Sequence, residues 1–443
     1  MDNFTLKMEE IFLPVAHKIG NQRHLAAIKD GFIATMPISL AGAIAAMMTN
    51  VFLTSGSLIG ELLNRMAWYA DTVQPFLDIT LIPVFDQIWW GTIAVSVLFS
   101  TFTISANLAK NLGEDDGLIP GIIAVASYLV LTPSGTIVGE DWVWGIISWN
   151  SFNSQAIFAG LITALVATEL YCWVKKKGWV IKMPDSVPPS VSKAFSAVIP
   201  AGLTLLVIAT ISTFFLEVIG DSFQVWANDL LQAPLVGLGQ SPISLVFLVV
   251  LSQLLWFFGL HGMLIVEPAL TLMYGPAGAA NQELVMQGLE PVYAITRNFI
   301  DVYAMHGGSG STLGLIIAIF IFSKKPHHRT LAKMSLAPGI FQINEPMTFG
   351  LPLVLNPIMA IPFIFVPAVT LSVAWFFTAV VPFAGYLWAS PPWTTPTIIN
   401  AFLGTGGDIG ATILSVVTLL LSILLYIPFV LVANRDKSDE KIS

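Results

Sequence analysis

Charged residues are scarce in this chain of 443 residues, because Asp, Glu, Lys and Arg together make up only 10% of it. Soluble domains contain about 25% of these residues. A soluble protein of this length could not keep its surface hydrated with so few charges. Hydrophobic residues reach 55%, and the mean hydropathy is +0.79. Lipid must therefore cover much of the surface, and the composition predicts a polytopic membrane protein.

Several functional classes are excluded by motifs that the sequence lacks. A single cysteine, Cys172, rules out an internal disulfide and a cysteine-based metal cluster. No G-x-x-x-x-G-K-[ST] loop is present, so the chain does not drive transport with its own ATP hydrolysis. No H-E-x-x-H or Cys/His constellation occurs, and we expect no metal and no other cofactor. No basic segment with interleaved aromatic residues suggests nucleic-acid binding.

Apolar runs recur along the chain and predict an all-α membrane protein. They lie at 31–54, 88–109, 118–132, 156–174, 195–219, 243–260, 311–323, 357–384 and 411–433. Some runs are shorter than the roughly 20 residues that a full span needs. Prolines interrupt others, so we expect broken or re-entrant elements among them. Residues 1–30 alternate apolar and charged residues at near-helical spacing, which is typical of an amphipathic helix on the membrane surface.

The distribution of Lys and Arg predicts the orientation of the spans. Basic loops at 175–193 and 324–333, and basic residues at both ends of the chain, are expected in the cytoplasm. Acidic loops are expected outside. Because successive spans must cross the membrane in opposite directions, these loop positions require an extra span at 263–275. They also leave 335–356 entering and leaving from one side, as a re-entrant hairpin. Both termini would lie in the cytoplasm.

Polar residues within apolar sequence are the candidates for function, because a carboxylate at the bilayer centre costs about 2.5–3.5 kcal/mol. The strongest candidate is Glu345 in FQINEPMTFGLP (341–352), where Gln342 and Asn344 precede it. Glu345 could accept a hydrogen bond or a proton from a polyol. The alternative is a structural carboxylate that binds the amides of its own hairpin.

Three further candidates lie in other polar interruptions. His261 follows an apolar helix between two glycines, where a buried core histidine is the alternative. His306 precedes a glycine-rich stretch that resembles a helix start, where simple capping is the alternative. Trp393, followed by Thr394, could stack on a sugar ring or anchor the protein at the membrane interface. Solvation near predicted span ends explains four other charged residues: Glu267, Arg297, Asp301 and Asp408.

Five segments carry a family resemblance: FQINEPMTFGLPLVLNP (341–357), WFFGLHG (256–262), GGSGSTLGL (307–315), MPDSVPPSVSKAFSAVIPA (183–201) and QRHLAAIKDGFIATMP (22–37). Together they resemble the IIC component of the bacterial phosphoenolpyruvate-dependent sugar phosphotransferase system, of the lactose/cellobiose/diacetylchitobiose type. The resemblance covers nearly the whole chain. It implies a homodimer in the bacterial cytoplasmic membrane, with about ten transmembrane helices and two re-entrant hairpins. The region 391–405 could form the second hairpin.

The resemblance also implies different roles for the two halves of the chain. The amino-terminal half, 31–220, would form the dimer contact, and the carboxy-terminal half, 221–434, would hold the sugar. A cytoplasmic tail, 435–443, would follow. Glu345 and His261 would lie near the 6-hydroxyl of the sugar, as the catalytic pair. The residues expected to bind the sugar are Asn344, Gln342, Trp393, His306 and Thr394.

The expected substrate is a β-linked disaccharide of the diacetylchitobiose or cellobiose type. The chain would bind it, move it inward and present it for phosphorylation by a separate phospho-IIB protein, with a IIA protein upstream. A IIB partner is expected because the chain carries no IIB domain with a phosphocysteine. The chain itself would thus be a transport subunit, and phosphoryl transfer would occur only together with IIB.

Two other functional classes stay open. An ion-coupled secondary sugar transporter would work without phosphorylation, although few buried acids are available to carry protons. A membrane-embedded glycosyl-transfer enzyme would need paired carboxylates or a metal motif, and the sequence has neither.

Overall fold

The computed structural model describes residues 22–138, 141–184, 186–351, 353 and 357–434. The predicted tail, 435–443, lies outside the described residues, and so does most of the amphipathic segment predicted at 1–30. The end of that segment is described, and it belongs to the first long helix, α1 (Arg23–Met47).

The described residues are mostly helical, as predicted, and most elements coincide with the apolar runs. After α1 the elements are α2 (Leu58–Asn64), α3 (Gln74–Ile79), α4 (Leu81–Trp90), α5 (Ser96–Asn111), α6 (Leu118–Leu131), β1 (Gly135–Val138), β2 (Asp141–Trp144), α7 (Ile157–Lys176), α8 (Pro189–Phe214), α9 (Phe223–Ala227), α10 (Ala233–Gly239), α11 (Pro242–Phe257), α12 (Gly262–Met286), α13 (Arg297–Tyr303), α14 (Thr312–Phe322), α15 (Pro326–Ile340), α16 (Glu345–Gly350), α17 (Pro357–Trp375), α18 (Ile399–Gly404) and α19 (Ile409–Ala433). The antiparallel pair β1–β2 was not predicted.

Seven helices in the described ranges are long and apolar enough to cross a membrane. An eighth is obtained if the pair Phe223–Gly239 and Pro242–Phe257, bent by 76°, counts as one span. Two shorter apolar helices, Leu118–Leu131 and Ser309–Phe322, are also present. The extra crossing expected at 263–275 coincides with the long helix α12. The total of ten spans and the two re-entrant hairpins stay predictions.

The chain folds into two compact units. The first comprises the described residues of Lys18–Gly42 together with Gln87–Val236. Helices α5, α6, α7 and α8 pack there around a core that includes Val97, Tyr128 and Ile208. This unit is built mainly from the amino-terminal half of the sequence, and its predicted role at the dimer contact stays a prediction.

The second unit comprises Ala43–Asp86 and the described residues of Gly237–Ser443. It has two hydrophobic clusters. One lies among α11, α12, α13, α17 and α19 and includes Leu270 and Phe299. The other surrounds α14, α15 and α16 and includes Ile316, Met347 and Tyr426. Every candidate site residue belongs to this second unit.

Irregular backbone in the second unit lies between its helices and includes 287–296, 304–308, 341–344 and 381–398. Within the described residues, only Ser311, Gln342 and Ile398 adopt a left-handed conformation without being glycine, with φ of 53°, 66° and 75°. Such a conformation costs about 1–2 kcal/mol per residue. It persists only where the surroundings determine it, which is typical of functional sites.

Candidate functional site

Glu345 is the first residue of the short helix α16, immediately after a reversal of the chain. The preceding helix α15 ends at Ile340, and the Ile343 N–H then donates to the Pro338 carbonyl at 3.0 Å. Pro346 follows Glu345 in the first helical turn, where proline is tolerated because its missing N–H has no intrahelical acceptor. The sequence FQINEPMTFG thus forms a short turn between two helices, α15 and α16, and its re-entrant course in the membrane stays a prediction.

Gln342 joins this reversal to two other irregular segments. Its Oε1 accepts from the backbone N–H groups of Gly307 and Gly308 at 2.6 and 3.2 Å. Its Nε2 donates to the Thr395 carbonyl at 3.3 Å and to Thr397 Oγ1 at 3.1 Å. The side chain is buried and uses its whole hydrogen-bonding capacity within the protein.

Asn344 joins the reversal to Ser309 and to the helix α16 that follows it. Its Nδ2 donates to the Ser309 carbonyl at 3.1 Å and to Thr348 Oγ1 at 3.0 Å. The close approach requires glycine at position 308, because a Cβ there would lie 2.7 Å from the Gln342 carbonyl oxygen and 2.9 Å from Asn344 Cβ. Gly308 also has φ of +94°, which disfavours any other residue.

The Glu345 side chain, in contrast, is exposed. No hydrogen bond or ion pair to its carboxylate is found among the described residues. Its charge nevertheless reaches His261, which lies in the connection between α11 and α12. Partial burial lowers the pKa of His261, while a backbone hydrogen bond and the Glu345 charge oppose that shift more weakly. The structure therefore brings the two predicted catalytic residues within electrostatic range of each other.

His261 is held by its own helix and by an indole ring. Its Nδ1 accepts from the Leu264 N–H at 3.4 Å, at the start of α12. The imidazole and the Trp256 ring lie 4.5 Å apart between centroids. Phe349 of α16 contacts the same indole, at 6.3 Å between centroids. Trp256 therefore links the segment of His261 to that of Glu345.

Trp256 contacts the candidate site but was not among the residues predicted from the sequence. The indole is only 3% exposed, and its Nε1–H has no hydrogen-bond acceptor in the described part of the chain. The available signal was its place in WFFGLHG, the string that also contains His261. Its apolar neighbours made it resemble an ordinary core residue.

The remaining predicted residues occupy two different environments. Trp393 is 53% exposed, and Thr394 beside it is partly buried. Both lie in the loop that Thr395 and Thr397 attach to the reversal. His306 is fully buried instead, and its Nε2 bonds with Thr418 Oγ1 of α19 at 2.9 Å.

Three charged residues form an ion-pair network, so the expectation that solvation near span ends explains them was wrong. Arg297 donates to both carboxylate oxygens of Glu267, at 3.0 and 2.9 Å, and to Asp301 Oδ1 at 3.1 Å. The three side chains are 25% exposed or less. Asp408 caps α19 by accepting from the Ala411 N–H at 2.6 Å. Sequence alone gave no reason to pair α12 with α13.

Comparison with known proteins gives consistent matches over nearly the whole chain. The family model described as "Phosphotransferase system, EIIC" matches residues 29–367. The "PTS system cellobiose-specific EIIC component" of Geobacillus stearothermophilus is 35% identical, over 100% of this chain and 96% of that protein. The protein of the same description from Lactococcus lactis is 32% identical, over 99% of this chain and 100% of the relative.

A solved structure is similar in both sequence and fold. It is the crystal structure of the transporter ChbC, the IIC component from the N,N'-diacetylchitobiose-specific phosphotransferase system. The TM-score is 0.89 at 31% sequence identity, and the match covers 98% of this chain and 99% of ChbC.

Proposed function

Because the chain belongs to the EIIC family of the phosphotransferase system, we propose that it carries a β-linked disaccharide inward and presents the 6-hydroxyl to a separate phospho-IIB protein. Members of this family are integral membrane sugar permeases that work with IIB and IIA proteins, and this chain is such a permease. The ion-coupled alternative is not favoured by these relationships. The proposal concerns the sugar, the transfer step and the residues that serve it.

The class of sugar is proposed from the relatives. Two of them are described as cellobiose-specific, and the similar solved structure belongs to an N,N'-diacetylchitobiose-specific system. Both sugars are β-linked disaccharides, so we propose that class for this chain. A homodimer in the bacterial cytoplasmic membrane, with both termini in the cytoplasm, belongs to the same proposal.

Glu345 carries the proposal for the transfer step, because it is the exposed carboxylate at the centre of an otherwise tightly bonded reversal. In the proposed step the S–P bond of the IIB phosphocysteine breaks and a P–O bond forms to the 6-oxygen of the sugar. The hydroxyl proton passes to the Glu345 carboxylate, and the IIB cysteine leaves as a thiolate. His261, neutral because its pKa is lowered, accepts or donates a hydrogen bond at the same hydroxyl.

The base contribution of Glu345 is expected to be limited by the nature of the transition state. Phosphoryl transfer is largely dissociative, so positioning of the hydroxyl matters at least as much as proton removal. Once Glu345 has released the transferred proton to water, its carboxylate would stand near the product phosphate, whose charge at pH 7 is about −1.5 to −2. Their repulsion favours release of the sugar phosphate into the cytoplasm.

The other site residues are assigned by their bonding. Trp393, which is exposed, is proposed to contact the sugar rings, and the buried Trp256 is proposed to position His261 through their ring contact. Gln342 and Asn344 are proposed to act chiefly by holding the reversal, since their amide groups bond to the protein. Direct contacts of the sugar with these two residues, and with the remaining predicted residues His306 and Thr394, stay predictions.

The experiment that tests this proposal separates binding from transfer in Glu345→Gln. The purified protein in lipid vesicles would be given radiolabelled cellobiose, diacetylchitobiose and lactose, with and without a phosphorylated cellobiose-type IIB protein. Glutamine keeps a hydrogen-bond acceptor, so sugar affinity should change by no more than a few-fold. Phosphorylation should fall by about 10²-fold or more, the lower end of the effect of a general base.

The matched control is Glu290→Gln, which removes an exposed acid of the same unit. It should leave both activities unchanged. Intact phosphorylation in Glu345→Gln would contradict the base role, and loss of binding as well would assign Glu345 to sugar recognition. Uptake by the wild type without IIB, driven by an ion gradient, would favour the ion-coupled alternative.

A further inference from the structure

A row of basic residues lies immediately before the Glu345 reversal. Residues 302–344 contain no Asp or Glu, yet they include Lys324, Lys325, Arg329 and Lys333. Arg329 and Lys333 are one turn apart on α15, so they project from the same face of the helix. The segment therefore has a formal charge of about +4 that no acid along this stretch compensates.

Three charges of this row are also unpaired in space. Across the described ranges, Lys324, Arg329 and Lys333 form no ion pair with an acidic side chain, and all three are exposed. Arg329 uses one nitrogen, Nη2, to donate to the Phe320 carbonyl at 2.7 Å, which leaves its charge unpaired. An unpaired basic row on the solvated end of a helix attracts an anionic partner.

The other basic loop of the chain differs in this respect. Lys175 is paired with Glu114. Lys193 lies 3.3 Å from Asp115 and 3.5 Å from Asp116. Lys177 lies over the Trp173 ring, 5.8 Å from its centroid. Much of the charge of that loop is therefore engaged within its own unit.

Exposed apolar side chains border the basic row of α15. Met334 and Phe341 are 70% and 52% exposed. At 100° per residue, Arg329, Lys333, Met334 and Phe341 fall within an arc of about 140° around the helix axis. A patch with an apolar part and a charged rim is the usual composition of a protein–protein interface.

The distance from this face to the site suits a small docked protein. At 1.5 Å per residue, Lys333 and Arg329 lie about 12 and 18 Å along the axis from Phe341, where the reversal begins. A standard interface buries about 800 Å² per partner, which corresponds to a disc of about 16 Å radius. A protein that delivers a phosphoryl group near Glu345 would therefore also cover Lys333, and an interface centred between Phe341 and this row would reach Arg329 as well.

We propose that the face of α15 formed by Arg329, Lys333 and Met334, together with Lys324 before the helix and Phe341 after it, is the docking surface for phospho-IIB. This inference rests on the proposed function and adds the location of the partner. The matching surface of the partner would be acidic and apolar around its phosphorylated cysteine, whose phosphate contributes further negative charge. The basic residues at 175–182 would then contribute little to docking.

The test compares two double substitutions that remove the same charge. Arg329→Gln with Lys333→Gln neutralises the α15 row, and Lys176→Gln with Lys182→Gln neutralises two exposed lysines of the other loop. Each protein would be placed in vesicles of neutral lipid with labelled cellobiose. A cellobiose-type IIB protein, kept phosphorylated by phosphoenolpyruvate and the upstream proteins, would be varied in concentration and at several salt concentrations.

The α15 variant should show a KM for phospho-IIB raised about ten-fold at low salt, and a flatter salt dependence, because steering charges are lost. Its kcat and its sugar affinity should stay within two-fold of wild type. The variant of the other loop should match wild type in all three quantities. A reduced sugar affinity in the α15 variant would indicate a distorted site and overturn the inference.

Two further outcomes separate the inference from the function on which it rests. Equal KM values for the two double variants would overturn the inference while leaving the proposed function intact. An effect seen only in vesicles that contain anionic lipid would assign the face to lipid headgroups and likewise overturn it. If the wild type bound no sugar, or if no phospho-IIB phosphorylated it, the proposed function itself would fail.

Discussion

Gln342→Met should uncouple the Glu345 reversal from the rest of the site. Methionine keeps the length of the side chain but removes all four of its hydrogen bonds. The backbone N–H groups of Gly307 and Gly308 lose their shared acceptor, and Thr395 and Thr397 lose their donor. The reversal would no longer be held against either neighbouring segment.

The magnitude follows from which of these groups are buried. Gly307 and Gly308 are buried, and an unsatisfied buried donor costs about 1–3 kcal/mol. The Gly308 N–H keeps a second acceptor, the Met305 carbonyl at 2.9 Å, so only the Gly307 N–H is left unsatisfied, at a cost of about 1–3 kcal/mol. Thr395 and Thr397 are only partly buried, so water can replace their lost donor at small cost. Since about 1.4 kcal/mol is a factor of ten, the ordered arrangement should lose at least about five-fold in population.

Two measurements check this expectation. Hydrogen exchange at the Gly307 amide should accelerate by at least about five-fold in the methionine variant, since the lost bond protects it. Sugar phosphorylation with saturating phospho-IIB should fall in parallel. Gln342→Glu is the matched control, because its carboxylate still accepts from both glycine amides, and its exchange should stay near that of wild type. Wild-type exchange in Gln342→Met would refute the reasoning.

Four further expectations concern the same unit. Arg297→Met leaves Glu267 without its bidentate partner, and breaking a fully buried pair costs about 3–5 kcal/mol. Because these side chains are about a quarter exposed, we expect the protein to lose about 2 kcal/mol of stability, measured as a lower unfolding temperature. An unchanged unfolding temperature would show that the network is not stabilising. Gly308→Ala should abolish phosphorylation while the protein stays folded by circular dichroism, because the new Cβ would clash with the Gln342 carbonyl. The lowered pKa of His261 keeps its ring neutral at pH 7, so the phosphorylation rate should be constant above about pH 6.5 and decline only below it. His261→Gln should remove this decline at acid pH. If the decline persists in the variant, another group is responsible for it. Trp393→Ala should weaken sugar binding about ten-fold through lost apolar contact without changing the KM for phospho-IIB. An unchanged sugar affinity would indicate that Trp393 anchors the protein in lipid.

The sequence predicted the helical frame of this protein better than the contacts of its site. Apolar length alone located most of the long helices, and parity located the extra crossing that coincides with α12. The interruption at 341–344 was evident because amides, an acid and proline are unfavourable together in a lipid-facing helix. These features are local, so a single sequence can reveal them.

Long-range pairing could not be predicted in the same way. Three of the four partners of Gln342 are backbone groups, 34, 35 and 53 residues distant, and backbone groups leave no trace in residue identity. Glu267 and Arg297 meet because α12 and α13 pack together, which no periodicity encodes. Trp256 was hidden for a related reason: a tryptophan in an apolar helix has the same pattern whether it contacts lipid, core or the His261 ring.

The three-way attachment of Gln342 has a mechanical consequence for transport. The Gly307–Gly308 turn, the Glu345 reversal and the loop of Trp393 are fastened at one side chain, so none of them can swing away alone without breaking at least two of its hydrogen bonds. They are expected to move as one body. The gate that exposes the sugar to each side of the membrane must then lie elsewhere, and the sugar would cross the membrane together with these three segments.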